Sequence, residues 1–124
     1  ETHPSVTPEP DEPVIEKNFP NGFRNTDLDR VLRSRDISRL VIVGAMSYMC
    51  LDATTRAAAD TGYDCILVHD ACAAPNLEFN GAAVPAAKAH AAFMAGLADG
   101  YGSVIAADEV EGQHASLDAE RVGK

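Results

Sequence analysis

The stretch Leu40-Val41-Ile42-Val43-Gly44-Ala45-Met46-Ser47-Tyr48-Met49-Cys50 runs straight into Leu51-Asp52-Ala53-Thr54-Thr55-Arg56-Ala57-Ala58-Ala59. Its opening is short, apolar and unbroken, the texture of a strand covered on both faces. The second part is dense in strong helix formers. A strand that passes directly into a helix is the repeating step of a parallel α/β fold. Cys50 stands at the junction, where the free N–H groups and the dipole of a helix N-terminus favour an anion. Such a position turns a thiol into a nucleophilic thiolate, although a small thiol at a buried seam is also a common packing residue.

The pattern extends on both sides. Residues 65–69 and 104–107 are further short apolar runs, and helical patterns occupy 51–61 and 84–98. The second helix is rich in alanine, with Val84, Ala87, His90, Ala91 and Met94 close to one face; Gly62, Gly100 and Gly102 supply stop signals. Upstream, residues 14–17 read as a short strand and 18–23 as a turn-rich loop with two aromatics, Phe19 and Phe23. Thr26 reads as the N-cap of a helix with Asp27 and Asp29 in its first turn, a Leu28, Val31, Leu32 stripe, and Arg33 and Arg35 near its end. Strands alternating with helices predict an α/β fold, three-layer αβα, with a mainly parallel sheet. Residues 1–13 hold four prolines among acidic side chains and are expected to run extended or disordered; 14–108 form the domain, and 109–124 a polar tail.

Bulk properties narrow the function. The chain has 124 residues, enough for one domain with a core. Ten basic against nineteen acidic residues leave a net charge of −9, which argues against a nucleic-acid or anionic-membrane partner. No apolar run approaches the roughly 18–20 residues of a membrane span, and Glu1-Thr2-His3-Pro4-Ser5 lacks the form of a signal peptide. Cys50, Cys65 and Cys72 are an odd set without CxxC spacing, read as reduced thiols of a cytoplasmic protein.

Ligands of an open parallel sheet collect at the carboxyl ends of its strands. Lys17, the 45–50 segment and Asp70-Ala71-Cys72 all fall at such ends. An ammonium near Cys50 would stabilise its thiolate, and the backbone turning from strand to helix offers N–H groups to an oxyanion. His69-Asp70-Ala71-Cys72 is weak ground for a second Cys–His site, and Asp70 reads instead as a partner of the loop after its strand. Cys65 reads as packing, and His90 as a helix-packing or interface residue. Gly44-Ala45-Met46-Ser47 is neither a GxSxG elbow nor a GxGxxG turn, which disfavours serine hydrolases and dinucleotide enzymes.

In order, Val14-Ile15-Glu16-Lys17, the 19–23 loop, Thr26-Asp27-Leu28, the run from Val41 to Cys50, Thr54-Thr55-Arg56-Ala57-Ala58-Ala59-Asp60-Thr61-Gly62-Tyr63 and Val68-His69-Asp70-Ala71-Cys72 resemble the isochorismatase-like cysteine hydrolases. The resemblance runs from about Val14 to Val104. It implies Cys50 as nucleophile and Lys17 as the lysine of a Cys–Lys–Asp triad. It also implies a cis peptide between Ala45 and Met46, and an oxyanion hole made by the backbone N–H groups of Met46 and Cys50. Phe19, Phe23 and Tyr48 are candidates to line the substrate pocket. The expected reaction is hydrolysis of a C–N bond in a small carboxamide through a thioester, with no cofactor and no metal.

The chain departs from that family in its aspartate motif and its first two strands. Nothing matches the aspartate motif expected at the end of the family's first strand, and Asp11 and Asp27 stand in the wrong context to replace it. The family's first two strands lie between its third and fourth, so a sheet truncated of them would leave 40–44 as an exposed apolar edge. The expectation is a fragment, or a chain completed by another polypeptide or by homo-oligomerisation. The alternative function is a non-catalytic remnant or assembly subunit that binds a partner along that edge.

Overall fold

A computed structural model describes residues 3–112 of the chain. Three parallel strands form the central sheet: β1 (Arg39–Ala45), β2 (Asp64–Ala73) and β5 (Ser103–Ile105), in the order β1-β2-β5. Helix α1 (Leu28–Ser34) precedes β1, α2 (Asp52–Asp60) joins β1 to β2, and α3 (Ala86–Gly100) leads into β5. A small antiparallel hairpin, β3 (Leu77–Phe79) and β4 (Ala82–Val84), lies between β2 and α3. The expected α/β class with a parallel sheet is what the chain adopts.

The centre of β2 is buried without a break from Cys65 to Val68, because β1 and β5 flank it. Leu67 packs with Leu51 of the strand-to-helix turn and with Met94 and Leu97 of α3, against Ile42 and Val104. Cys65, Ala58 and Tyr63 form a second cluster with Phe23, Leu32 and Leu40. Each fully buried leucine here is worth about 1.5–3 kcal/mol in removed apolar surface, so the sheet is held chiefly by α2 and α3.

β1 differs from the sequence reading in that its two faces are not both covered, while its place at an exposed apolar edge is as expected. Side chains alternate across a strand, so Leu40 and Ile42 join the core while Val41 and Val43 stand 45% and 56% exposed. β1 is an edge strand, paired only with β2 among the described residues, and its outward face is uncovered. Its pairing runs Arg39↔Asp64 to Ile42↔Leu67, then slips to Gly44↔Cys72. Gly44 sits at that slip with φ of 130°, a conformation that a Cβ would strain.

Other expectations are corrected. Residues 14–17 are not a strand: among the described residues no neighbouring strand offers them a ladder, and the segment is largely exposed. The first described residues include one 3₁₀ turn, Pro4–Val6, where an extended segment was expected. α1 begins at Leu28, two residues after Thr26, whose Oγ1 still accepts the Leu28 N–H at 3.3 Å. Val84 belongs to β4 and not to the following helix. The hairpin turns at Asn80-Gly81, both with positive φ, the geometry for which Asn-Gly is the preferred pair. Asn76 Oδ1 then accepts the Ala86 N–H at 2.9 Å and caps α3. The buried face of α3 is Ala89, Met94 and Leu97, whereas Ala87 and Ala91 are exposed. Alanines on every side carry little phase information, and the bulky residues choose the face. At the expected boundary a 3₁₀ turn spans Ala107–Glu109; of the expected tail, 110–112 are helical and 113–124 lie outside the described residues.

Candidate active site

β1 delivers the chain to the carboxyl edge of the sheet, where the Ala45–Met46 peptide is cis. Met46 remains extended, and Ser47–Leu51 form a single π-helical turn that runs into α2. The Met46 carbonyl accepts the N–H groups of Met49 at 3.0 Å and Leu51 at 3.3 Å. Ser47 is fully buried beneath this turn, and its hydroxyl shares a 2.7 Å hydrogen bond with Nδ1 of His90 on α3. One face of the turn is therefore pinned to the core while Cys50, on the other, stays half-buried.

Lys17 comes to Cys50 from a distant part of the chain. Its Nζ donates to Cys50 Sγ at 3.2 Å and to the Phe19 carbonyl at 3.1 Å. No carboxylate is among its partners in the described residues. A cleft of about 180 Å³ opens at this pair, lined by Lys17, Ile42, Val43, Gly44, Ala45, Cys50, Leu51 and Thr54. A larger hollow of about 510 Å³, between residues 14–16 and 25–27, contains neither Cys50 nor Lys17. Chemistry, not size, identifies the cleft.

None of the three aromatic candidates is among the residues that line this cleft. Phe19 supplies its carbonyl to Lys17, and its ring lies 3.7 Å beneath the Arg24 guanidinium. Phe23 stacks on Tyr63 at 5.9 Å and faces an apolar groove of about 230 Å³ beside β1, with Leu28, Leu32 and Leu40. Tyr48 meets Phe93 of α3 edge to face.

The remaining thiols are chemically unlike Cys50 in their surroundings. Burial pushes the Cys65 thiol pKa upward, aided by the charge of Asp64. Burial also raises that of Cys72, with the Gly44 backbone acting in the opposite direction. Asp70 accepts the Ala107 N–H at 2.8 Å, so it ties the end of β2 to the turn after β5. Among the described residues no three His, Cys, Asp or Glu side chains gather closely enough to hold a metal ion.

Sequence reading passed over Thr54, which lies four residues after Cys50 and lines the same cleft. It also missed the Ser47–His90 pair. Helical spacing was a usable signal for Thr54, since residues four apart share a face; nothing local announces a bond across 43 residues.

Fold and site together define a parallel α/β domain with a thiol–ammonium pair at the carboxyl end of an edge strand. The chain belongs to the isochorismatase family, whose isochorismatase domain matches residues 1–109. It is 47% identical over 104 residues to YddQ, an uncharacterised isochorismatase family protein of Bacillus subtilis strain 168, covering 84% of this chain and 58% of that one. It is 34% identical over 85 residues to the ureidoacrylate amidohydrolase RutB of Variovorax paradoxus, covering 68% of this chain and 32% of the relative. An isochorismatase hydrolase structure from Oleispira antarctica superposes with a TM-score of 0.84 at 56% identity, over 87% of this chain and 57% of that one. A cysteine hydrolase structure from Pseudomonas syringae pv. phaseolicola 1448A gives 0.86 at 32% identity, over 89% and 52%. The chain thus spans little more than half the length of YddQ and of these two solved structures.

Proposed function

We propose that the chain carries the nucleophile and lysine of a cysteine hydrolase acting on a C–N bond of a small carboxamide. The observation that carries this reading is the 3.2 Å contact between Lys17 Nζ and Cys50 Sγ at a cleft, across 33 residues of sequence. The ammonium lies within hydrogen-bond reach of the sulfur that attacks. The thiolate attacks the carbonyl carbon, and the resulting oxyanion is received by the N–H groups of Met46 and Cys50. Collapse breaks the C–N bond, the amine departs with a proton drawn from solvent, and water cleaves the remaining thioester to acid and a thiol that returns its proton to solvent. The water step needs a base, and the triad aspartate implied by the resemblance has no counterpart beside Lys17 among the described residues. That RutB is an amidohydrolase and the Pseudomonas syringae structure a cysteine hydrolase supports C–N chemistry at this site.

The test is ammonia release from a panel of small carboxamides by the full chain and by Cys50→Ser. Release that disappears in the variant supports the reading. No release from any amide, together with Cys50 alkylating no faster than a simple thiol, refutes it.

A second reading rests on β1. Exposed Val41 and Val43 beside the apolar groove make this strand a template for another chain's strand, as an assembly subunit requires. Sedimentation of the chain with and without Val43→Lys separates the readings: association abolished by the lysine favours assembly, and a monomer in both cases removes it.

A further inference from the structure

We propose that Thr54 is a positioning residue whose hydroxyl fastens the Pro20–Gly22 loop to the helix following Cys50 and thereby holds Lys17 against the thiol. The inference rests on the hydrolase reading of the Cys50–Lys17 pair.

Thr54 Oγ1 accepts the Gly22 N–H at 2.9 Å and donates to the Pro20 carbonyl at 3.3 Å. Its donor and one acceptor site are thus both spent on the loop. A threonine inside a helix commonly turns its hydroxyl back to a carbonyl three or four residues earlier. Thr61, the residue that closes α2, does so, donating to Ala57 and Ala58. Thr54 instead reaches outward to residues more than thirty positions away. The loop is fitted to it: a Cβ on Gly22 would lie 3.3 Å from Thr54 Oγ1, 3.4 Å from its Cγ2 and 3.5 Å from Leu28 Cδ2.

The connection to the thiol is short. Pro20 follows Phe19, whose carbonyl holds the Lys17 ammonium at 3.1 Å, and that same ammonium donates to Cys50 Sγ. Lysine has a flexible four-carbon stem and no planar fork to orient it, so its aim depends on where the Phe19 carbonyl is held. Thr54 fixes that position relative to α2, and the π-helical turn bearing Cys50 runs directly into α2. One hydroxyl therefore gives both partners a common frame.

The test is the rate of iodoacetamide alkylation at pH 7, followed at the Cys50 peptide by mass spectrometry. Thr54→Val keeps the shape and removes the hydroxyl; it should slow alkylation by about threefold, as when the Lys17 ammonium is no longer held against the sulfur. Thr54→Ser should restore the rate, and in a Lys17→Met background Thr54→Val should change nothing further. An unchanged rate in Thr54→Val, or an equal slowing in the Lys17→Met background, overturns the proposal while leaving the hydrolase reading intact. A wild-type Cys50 no faster than a simple thiol overturns both. If Thr54→Val does not fold, Gly22→Ala crowds the same oxygen and decides the matter, with slowing in its favour and an unchanged rate against it.

Discussion

Replacing Lys17 by methionine keeps the length and apolar stem of the side chain and removes only its charge and donors. At 3.2 Å an ammonium and a thiolate attract by about 1.3 kcal/mol in a medium as polar as water, and by about 5 kcal/mol at an effective dielectric constant of 20. Lys17 is exposed and Cys50 half-buried, so solvent screening places the contact near the lower figure. About 1.4 kcal/mol is a tenfold change in a rate constant, which bounds the effect on the reaction of Cys50 with an electrophile. Lys17→Met removes the charge and the donors together, so the alkylation rate should fall by about threefold, inside that bound. The assay is iodoacetamide modification of the Cys50 peptide at pH 7, with the circular dichroism of both proteins compared to verify equal folding. An identical or faster rate in Lys17→Met would refute the reasoning, because the contact would then have no chemical consequence for the sulfur.

Two further consequences concern the frame around the site. A Cβ at Gly102 would overlap the Cys65 carbonyl oxygen and lie 3.1 Å from its carbonyl carbon and from its Cβ; two backbone segments cannot swing aside as a side chain can. Gly102→Ala should therefore cost about 1–3 kcal/mol and lower the melting temperature by about 5–15 °C, and an unchanged melt contradicts the packing described. Burial holds the Cys65 and Cys72 thiols protonated above the range in which they ionise when unfolded. Their contribution to stability is complete below about pH 8.5 and declines as the pH rises beyond it, because only the unfolded chain then loses those protons. The urea midpoint should fall between pH 8 and pH 10, less so in Cys65→Ala, and equal alkaline slopes in the two proteins would be the contrary result.

Legibility varied with the kind of signal. The cores of β1 and β2 were readable because their apolar residues are consecutive, and the start of α2 because Asp52 to Ala59 has the propensity of a helix with nothing to oppose it. β3 and β4 were not, since three-residue strands show no alternation and Ala82-Ala83 passes for helix; only Asn80-Gly81 marked the turn. The strand assigned to 14–17 failed for a different reason. Its residues suit a strand, but a strand exists only where a neighbour supplies hydrogen bonds, and none does among the described residues.

The same division separates the two halves of the candidate site. That a cysteine stands where a strand gives way to a helix follows from local order along the chain, and residue types alone determined it. The resemblance pointed to Lys17 as its partner, but the contact itself, like the Thr54 latch and the Ser47–His90 bond, joins residues more than thirty positions apart. Tertiary structure alone decided those. Periodicity reports which face a side chain occupies on its own element, whereas distances between elements are set by packing, loop closure and the slip that Gly44 permits at the edge of the sheet.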